Sequence, residues 1–146
     1  MRRVAPWELW IGNRGDVRDP AAVARAGIRA VVDLSLECPP LSIPREMVVC
    51  RFPLNDGGGN PRPIVAAAVS TVAELMRTRV PTLVLCSAGM SRSPAIVAGA
   101  MARVQKRPPG ECLGDVTFGA PADVSAGLWG QVLETVALKE PNWGAQ

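Results

Sequence analysis

Histidine and tyrosine are absent from the 146 residues, and phenylalanine occurs only twice. Without an imidazole the chain cannot run Ser-His-Asp hydrolysis or Cys-His proteolysis, nor build a His-rich metal site. General acids and bases are confined to Asp, Glu, Lys and Cys. The four cysteines, Cys38, Cys50, Cys86 and Cys112, form no CxxC pair, so no zinc site is expected. No apolar run reaches the length of a membrane span, and residues 1–12 lack the apolar stretch of a secretory leader. Charge is also modest: 16 Lys and Arg against 13 Asp and Glu leave +3, with a pI of about 8.9. That is too weak for a dense nucleic-acid-binding patch but suits a protein that handles an anion at one site. The expectation is a cytoplasmic protein with reduced thiols, no cofactor, and neither nucleic acid nor membrane as partner.

What is present is globular. Hydrophobic residues make up 48% and charged residues 20%, and the length suits a single domain over residues 1–146 with a core large enough to need no staple. Short apolar runs at 7–11, 29–34, 47–54 and 82–85 read as strands. Asp19-Pro20 reads as an N-cap with proline in the first helical position, opening a short helix that Gly27 stops. Helical spacing of apolar residues covers 64–76 and 91–104, and a last helix is expected over 123–138. Residues 38–44 and 107–119, both rich in proline, read as loops. Strands alternating with helices predict an α/β domain with a central, mostly parallel sheet flanked by helices.

The informative stretch is Val84-Leu85-Cys86-Ser87-Ala88-Gly89-Met90-Ser91-Arg92-Ser93-Pro94. A buried strand runs into a tight loop of mostly small residues, and the loop opens a helix. This arrangement aims the backbone N–H groups of Ser87, Ala88, Gly89, Met90, Ser91 and Arg92 at one point, where the helix N-terminus adds positive potential. It is an anion cradle without a Walker lysine. Gly89 supplies the turn that a side chain would resist. Arg92, six positions after Cys86, can bring its planar fork to the same anion. Amides that favour an anion also favour a thiolate, and Ser93 is placed to donate a hydrogen bond to it. The bland alternative, a buried core cysteine, does not account for the glycine, the arginine and the serine together.

These residues match CxxGxxRS, and the chain resembles the small dual-specificity phosphatases of the protein tyrosine phosphatase superfamily. The resemblance extends over residues 7–138. Trp7-Glu8-Leu9-Trp10-Ile11-Gly12-Asn13 is similar to the family's opening strand and turn, residues 27–35 to its next strand, and Arg107-Pro108 with residues 129–133 to its terminal helical region. The resemblance implies a cysteine-dependent phosphatase with Cys86 as nucleophile and Arg92 and the loop amides as phosphate holders. Asp56, thirty positions before Cys86 in a Gly-rich loop, is implied as the general acid, and Ser93 as the group that eases the thiolate's departure. No metal is required, and an oxyanion such as phosphate is the expected occupant of the loop. Asp33 is the other nearby carboxylate, but it falls inside a predicted strand. Asn60 orients the acid loop or is simply a turn residue. Gly57-Gly58-Gly59 predict a mobile acid loop that closes on substrate.

One departure stands out: the family's histidine before the nucleophile is Leu85 here, which removes one support of the loop. Phosphoproteins are the expected substrates, since the loop positions carry no lysine. Phosphoinositides, phosphoglucans and nucleic-acid 5′ ends are the alternatives, and a phosphate-binding module without turnover is the reading from another class. Cys50 and the other cysteines read as structural, with a reversible disulfide to Cys86 as the alternative.

Overall fold

The computed structural model describes residues 1–138. Five strands form one sheet: β1 (Arg2–Arg3), β2 (Leu9–Asn13), β3 (Ala30–Ser35), β4 (Val48–Leu54) and β5 (Thr82–Cys86), in the order β1-β2-β5-β3-β4. Only β1 is antiparallel to its neighbour; β2, β5, β3 and β4 run parallel. The predicted mostly parallel α/β sheet is therefore what forms. β5 lies between β2 and β3, which explains why all five of its residues are buried.

Helices cover both faces. A short 3-10 helix (Arg14–Arg18) follows β2, then α1 (Pro20–Arg25), α2 (Arg62–Arg77), α3 (Arg92–Gln105), α4 (Pro109–Thr117) and α5 (Ala126–Ala137). Asp19 caps α1 by accepting from the Ala22 N–H at 3.2 Å, with Pro20 in the first turn, as its sequence predicts. The period-2 alternation of β5 divides the core. Val84 and Cys86 join the larger cluster with α2, α3 and α5, while Leu83 and Leu85 join a smaller one with Val17, Val23, Ile28 and Val31. In α3 every residue from Arg92 to Ala102 is buried, which small side chains at 95, 98, 99, 100 and 102 make possible.

Two expectations are corrected. Residues 107–119 are not a loop: α4 occupies most of them. Pro109 sits in the first turn, where its missing N–H costs nothing. Cys112 and Val116, four apart, are fully buried in the larger cluster, and burial outweighs the local Pro-Pro-Gly signal. Burial also pushes the Cys112 thiol pKa up. The last helix starts at Ala126 rather than 123, because the Asp123 N–H donates to the Met90 carbonyl at 2.8 Å and Ser125 becomes the N-cap. No helix among the described residues is long and apolar enough to cross a membrane.

The environment of Leu85 yields a prediction. Its side chain is fully buried, on the sheet face away from the larger cluster that holds Cys86. Restoring a histidine there would bury a ring N–H among apolar groups. Leu85→His should cost about 2–4 kcal/mol of stability, read as a lowered midpoint in urea unfolding. An unchanged midpoint would mean that the cluster holds a partner for the ring.

Candidate active site

The loop of residues 86–92 lies at the carboxyl end of β5, where ligands of parallel sheets bind. Cys86 is 2% exposed, and its Sγ accepts the Gly89 N–H at 3.2 Å. Gly89 has φ +73, and a Cβ built on it would lie 2.8 Å from the Gly12 carbonyl oxygen. Both facts demand glycine: left-handed backbone and a backbone neighbour that cannot move aside. β2 and the loop are thus packed directly together, and the Arg14 N–H donates to the Ser87 carbonyl at 3.3 Å.

Arg92 opens α3 and is 4% exposed. Four of its five donor hydrogens have acceptors. Nη1 donates to the Leu54 carbonyl at 2.9 Å and to Glu37 Oε2 at 2.7 Å; Nη2 donates to Glu37 Oε1 at 2.5 Å and to Ser87 Oγ at 3.2 Å. Nε is buried without a partner. Ser87 Oγ also donates to Glu37 Oε1, and the Cys38 thiol lies 3.4 Å from Ser87 Oγ. Glu37 is a residue that sequence reasoning missed. The Arg92 fork holds its carboxyl down at about 2, against burial that would raise it, and Glu37 in turn raises the Arg92 pKa. The loop that carries Glu37 is anchored by two further arginines. Arg14 donates to the Pro39 carbonyl at 2.6 Å, and Arg51 to the Cys38 carbonyl at 2.9 Å.

Asp56 reaches the same cavity. Ser91 Oγ donates to Asp56 Oδ1 at 2.6 Å and accepts the Ser125 N–H at 3.0 Å. A cavity of about 230 Å³ is lined by Asp56, Cys86, Ser87, Ala88, Arg92 and Asp123, with Met90 and Ser91 completing it. The structure thus brings every predicted loop residue and Asp56 to one place. Asp33 is elsewhere occupied: 1% exposed, it accepts from Arg14 Nη1 at 3.0 Å and from the Ser35 N–H and hydroxyl at 2.9 and 2.6 Å.

One site expectation changes. The Ser93 hydroxyl is buried and has no hydrogen-bond partner, so it does not donate to Cys86 Sγ; the Gly89 amide occupies that role. The Gly-rich loop that carries Asp56 is tied by hydrogen bonds in this structure. Asn60, 7% exposed, accepts the Asn55 N–H at 2.7 Å and donates to the Asn55 and Gly57 carbonyls at 3.2 and 3.0 Å. Of its three glycines, Gly58 lies against the backbone of Gly127 in α5, and Gly59 has φ +80. A Cβ on Gly127 would lie 2.5 Å from the Gly58 nitrogen. Among the described residues no group of three or more His, Cys, Asp or Glu side chains could hold a metal.

Sheet order and loop placement give an α/β fold of protein tyrosine phosphatase type. The solved structures to which the chain is similar agree on this. Human DUSP28 superposes with a TM-score of 0.80 at 23% identity, over 93% of this chain and 95% of that one. A mouse putative dual specificity phosphatase complexed with zinc tungstate gives 0.78 at 26% identity, over 91% and 84%. PTPMT1 in complex with PI(5)P gives 0.71 at 15% identity, over 92% and 93%. No protein-family model and no curated protein matches the chain. The resemblance carried by the sequence therefore holds in the fold, across nearly the whole chain.

The Glu37–Arg92 pair predicts a pH dependence. A carboxyl held at about 2 when folded, against an ordinary 4.5, adds stability above the ordinary value that is lost as pH falls toward 2. The Glu37 side chain is 52% exposed, so water screens the pair and the effect stays well below the full linkage value. Glu37→Gln should therefore lose less stability than the unsubstituted protein between about pH 4.5 and 2, measured as urea midpoints across that range. Parallel losses would show the pair to be energetically silent.

Proposed function

We propose that this protein is a cysteine-dependent phosphatase that hydrolyses phosphate monoesters through a phosphocysteine, with phosphorylated proteins as its substrates. The observation that carries this reading is the convergence of Cys86, the loop amides, Arg92 and Asp56 on one cavity. The Cys86 thiolate attacks phosphorus in line. The S–P bond forms as the ester P–O bond breaks, and Asp56 gives its proton to the departing oxygen. The loop amides and Arg92 hold the equatorial oxygens. Water then loses a proton to Asp56 and attacks phosphorus; the S–P bond breaks, and phosphate and thiolate are released. In this reading the Ser93 hydroxyl, which has no partner in the resting site, turns to the sulfur only as the thiolate departs. Ser91 engages Oδ1 of Asp56, which leaves Oδ2 to carry the proton.

Donor counting refines the part played by Arg92. Its Nε–H is the one hydrogen without an acceptor, so phosphate takes Nε–H first. A second bond from Nη2 then requires Ser87 Oγ to yield its place. Glu37 does not line the cavity and holds the fork from outside. The loop positions Ser87, Ala88, Met90 and Ser91 carry no cation. That supports a singly phosphorylated protein side chain over a polyanionic lipid headgroup. A reducing cytoplasmic setting, which keeps Cys86 as a thiol, suits the chemistry.

The test is hydrolysis of p-nitrophenyl phosphate in excess EDTA. Turnover should persist there, and Cys86→Ser should abolish it while still binding tungstate. Loss in EDTA that a divalent metal restores, or turnover by Cys86→Ser near the original rate, would sink the mechanism. Faster turnover of a phosphoinositide than of phosphopeptides would overturn the substrate assignment.

Asp56→Asn removes the transferable proton and keeps the shape. Its loss should fall in the ~10²–10⁴-fold range for an alkyl phosphate, and be much smaller for p-nitrophenyl phosphate, whose phenolate leaves unaided. Equal small losses on both would demote Asp56 to a turn residue.

A further inference from the structure

The acid loop is held by a side chain remote from it in sequence. Gln131 lies in the middle of α5 and spends both ends of its amide on Asn60. Its Nε2 donates to the Asn60 carbonyl at 2.7 Å, and its Oε1 accepts the Asn60 N–H at 3.2 Å and the Asn60 side-chain N–H at 3.1 Å. The pattern fixes the amide: turned over, its NH₂ would face two donors and its oxygen a carbonyl. Asn60 passes the constraint on, because its remaining bonds go to Asn55 and Gly57 on either side of Asp56. On the opposite side, Ser91 ties the Asp56 carboxylate to the phosphate loop and to the first N–H of the α5 cap. The close approach of Gly127 to Gly58 lets the helix and the loop meet backbone to backbone. Asp56 is therefore clamped between α3 and α5 by hydrogen bonds, not by a loop of its own stiffness.

We propose that Gln131 is a positioning residue for the acid step: acting through Asn60, it sets where Asp56 stands relative to the departing oxygen. The inference rests on the phosphatase reading and on Asp56 as the acid. Gln131 lies outside the cavity-lining set, and its side-chain hydrogen bonds go to Asn60 rather than to Cys86 or Arg92, so attack by the thiolate does not depend on it. A positioning role and a merely structural one differ in what they do to leaving groups. A displaced acid slows only those reactions in which the departing oxygen needs a proton. General loosening of the fold would slow all of them alike.

The experiment compares kcat/KM for an alkyl phosphate and for p-nitrophenyl phosphate in the unsubstituted protein, Gln131→Leu, Asp56→Asn and the double variant, with thermal melting as the folding check. Gln131→Leu should lose about 10-fold or more on the alkyl ester, part of the ~10²–10⁴-fold that a general acid supplies, and under about 3-fold on the aryl ester. In the double variant it should add almost nothing to the loss from Asp56→Asn, since an acid that is absent cannot be misplaced. Should Gln131→Leu melt below the assay temperature, Gln131→Glu carries the same comparison. It keeps the acceptor for the two Asn60 donors and loses only the donor to the Asn60 carbonyl, so its alkyl-ester loss should be smaller but equally selective. Equal losses on both esters, or additive losses in the double variant, would overturn the inference and leave the phosphatase reading standing. Absence of Cys86-dependent turnover of the aryl ester in the unsubstituted protein would overturn both.

Discussion

A guanidinium that is nearly sealed from water has to be given acceptors, and the way Arg92 obtains them organises the surroundings of the site. Its two Nη groups reach the carbonyl of Leu54, the Glu37 carboxylate and the Ser87 hydroxyl. Leu54 is the last residue of β4, two before Asp56, so Arg92 fixes the point from which the acid loop departs. Glu37 sits two residues beyond β3, so the same fork draws the β3–β4 connection over the phosphate loop. Arg14 and Arg51 hold that connection by its carbonyls. One buried charge thus links three chain segments, and only the Nε edge is left unspent. The guanidinium is thus oriented by neutral and acidic partners together.

The sheet performs a second division. β5 is the central strand, and its alternation sends Cys86 toward the helices of the larger cluster and Leu85 into the small apolar cluster near α1. The residue before Cys86 therefore belongs to packing here. The loop is shaped instead by backbone: Gly89 against Gly12, the Gly89 amide on the thiol, and β2 running alongside. Leu85 itself packs into the smaller apolar cluster on the other face of the sheet.

Glycine serves two ends in the loops that meet at the cavity: left-handed backbone at both Gly59 and Gly89, and close approach to a helix at Gly58. At Gly89 it is required by left-handed backbone and a carbonyl within van der Waals reach. The loop at residues 57–59 is closed by Asn60 and joined to α5 through Gln131. Small residues there allow close approach. The hydrogen bonds of Asn60 and Gln131 thus join the loop that carries Asp56 to the helix α5.

The sequence by itself determined whatever depends on neighbours along the chain. The strand–loop–helix around Cys86, the spacing to Arg92, the Asp19-Pro20 start of α1, and the alternation of strands with helices all rest on local periodicity, capping and turn chemistry. Each forms within a residue or two of where those signals place it. The family resemblance added Asp56, which local chemistry alone would leave as half of a common turn pair. Tertiary structure decided what depends on partners far apart in sequence. The helix α4 emerges from a Pro-rich stretch because Cys112 and Val116 find the larger core cluster. Glu37 carries no signal in its own neighbourhood; only the folded chain sets it on Arg92, fifty-five residues away. Gln131 left a faint trace, a polar residue three after buried Leu128 and just before buried Val132. Its partner, Asn60, is seventy-one positions distant. Short-range physics writes itself into adjacent residues. Pairings across the fold are set by which surfaces come to face each other, and no window along the chain contains both halves.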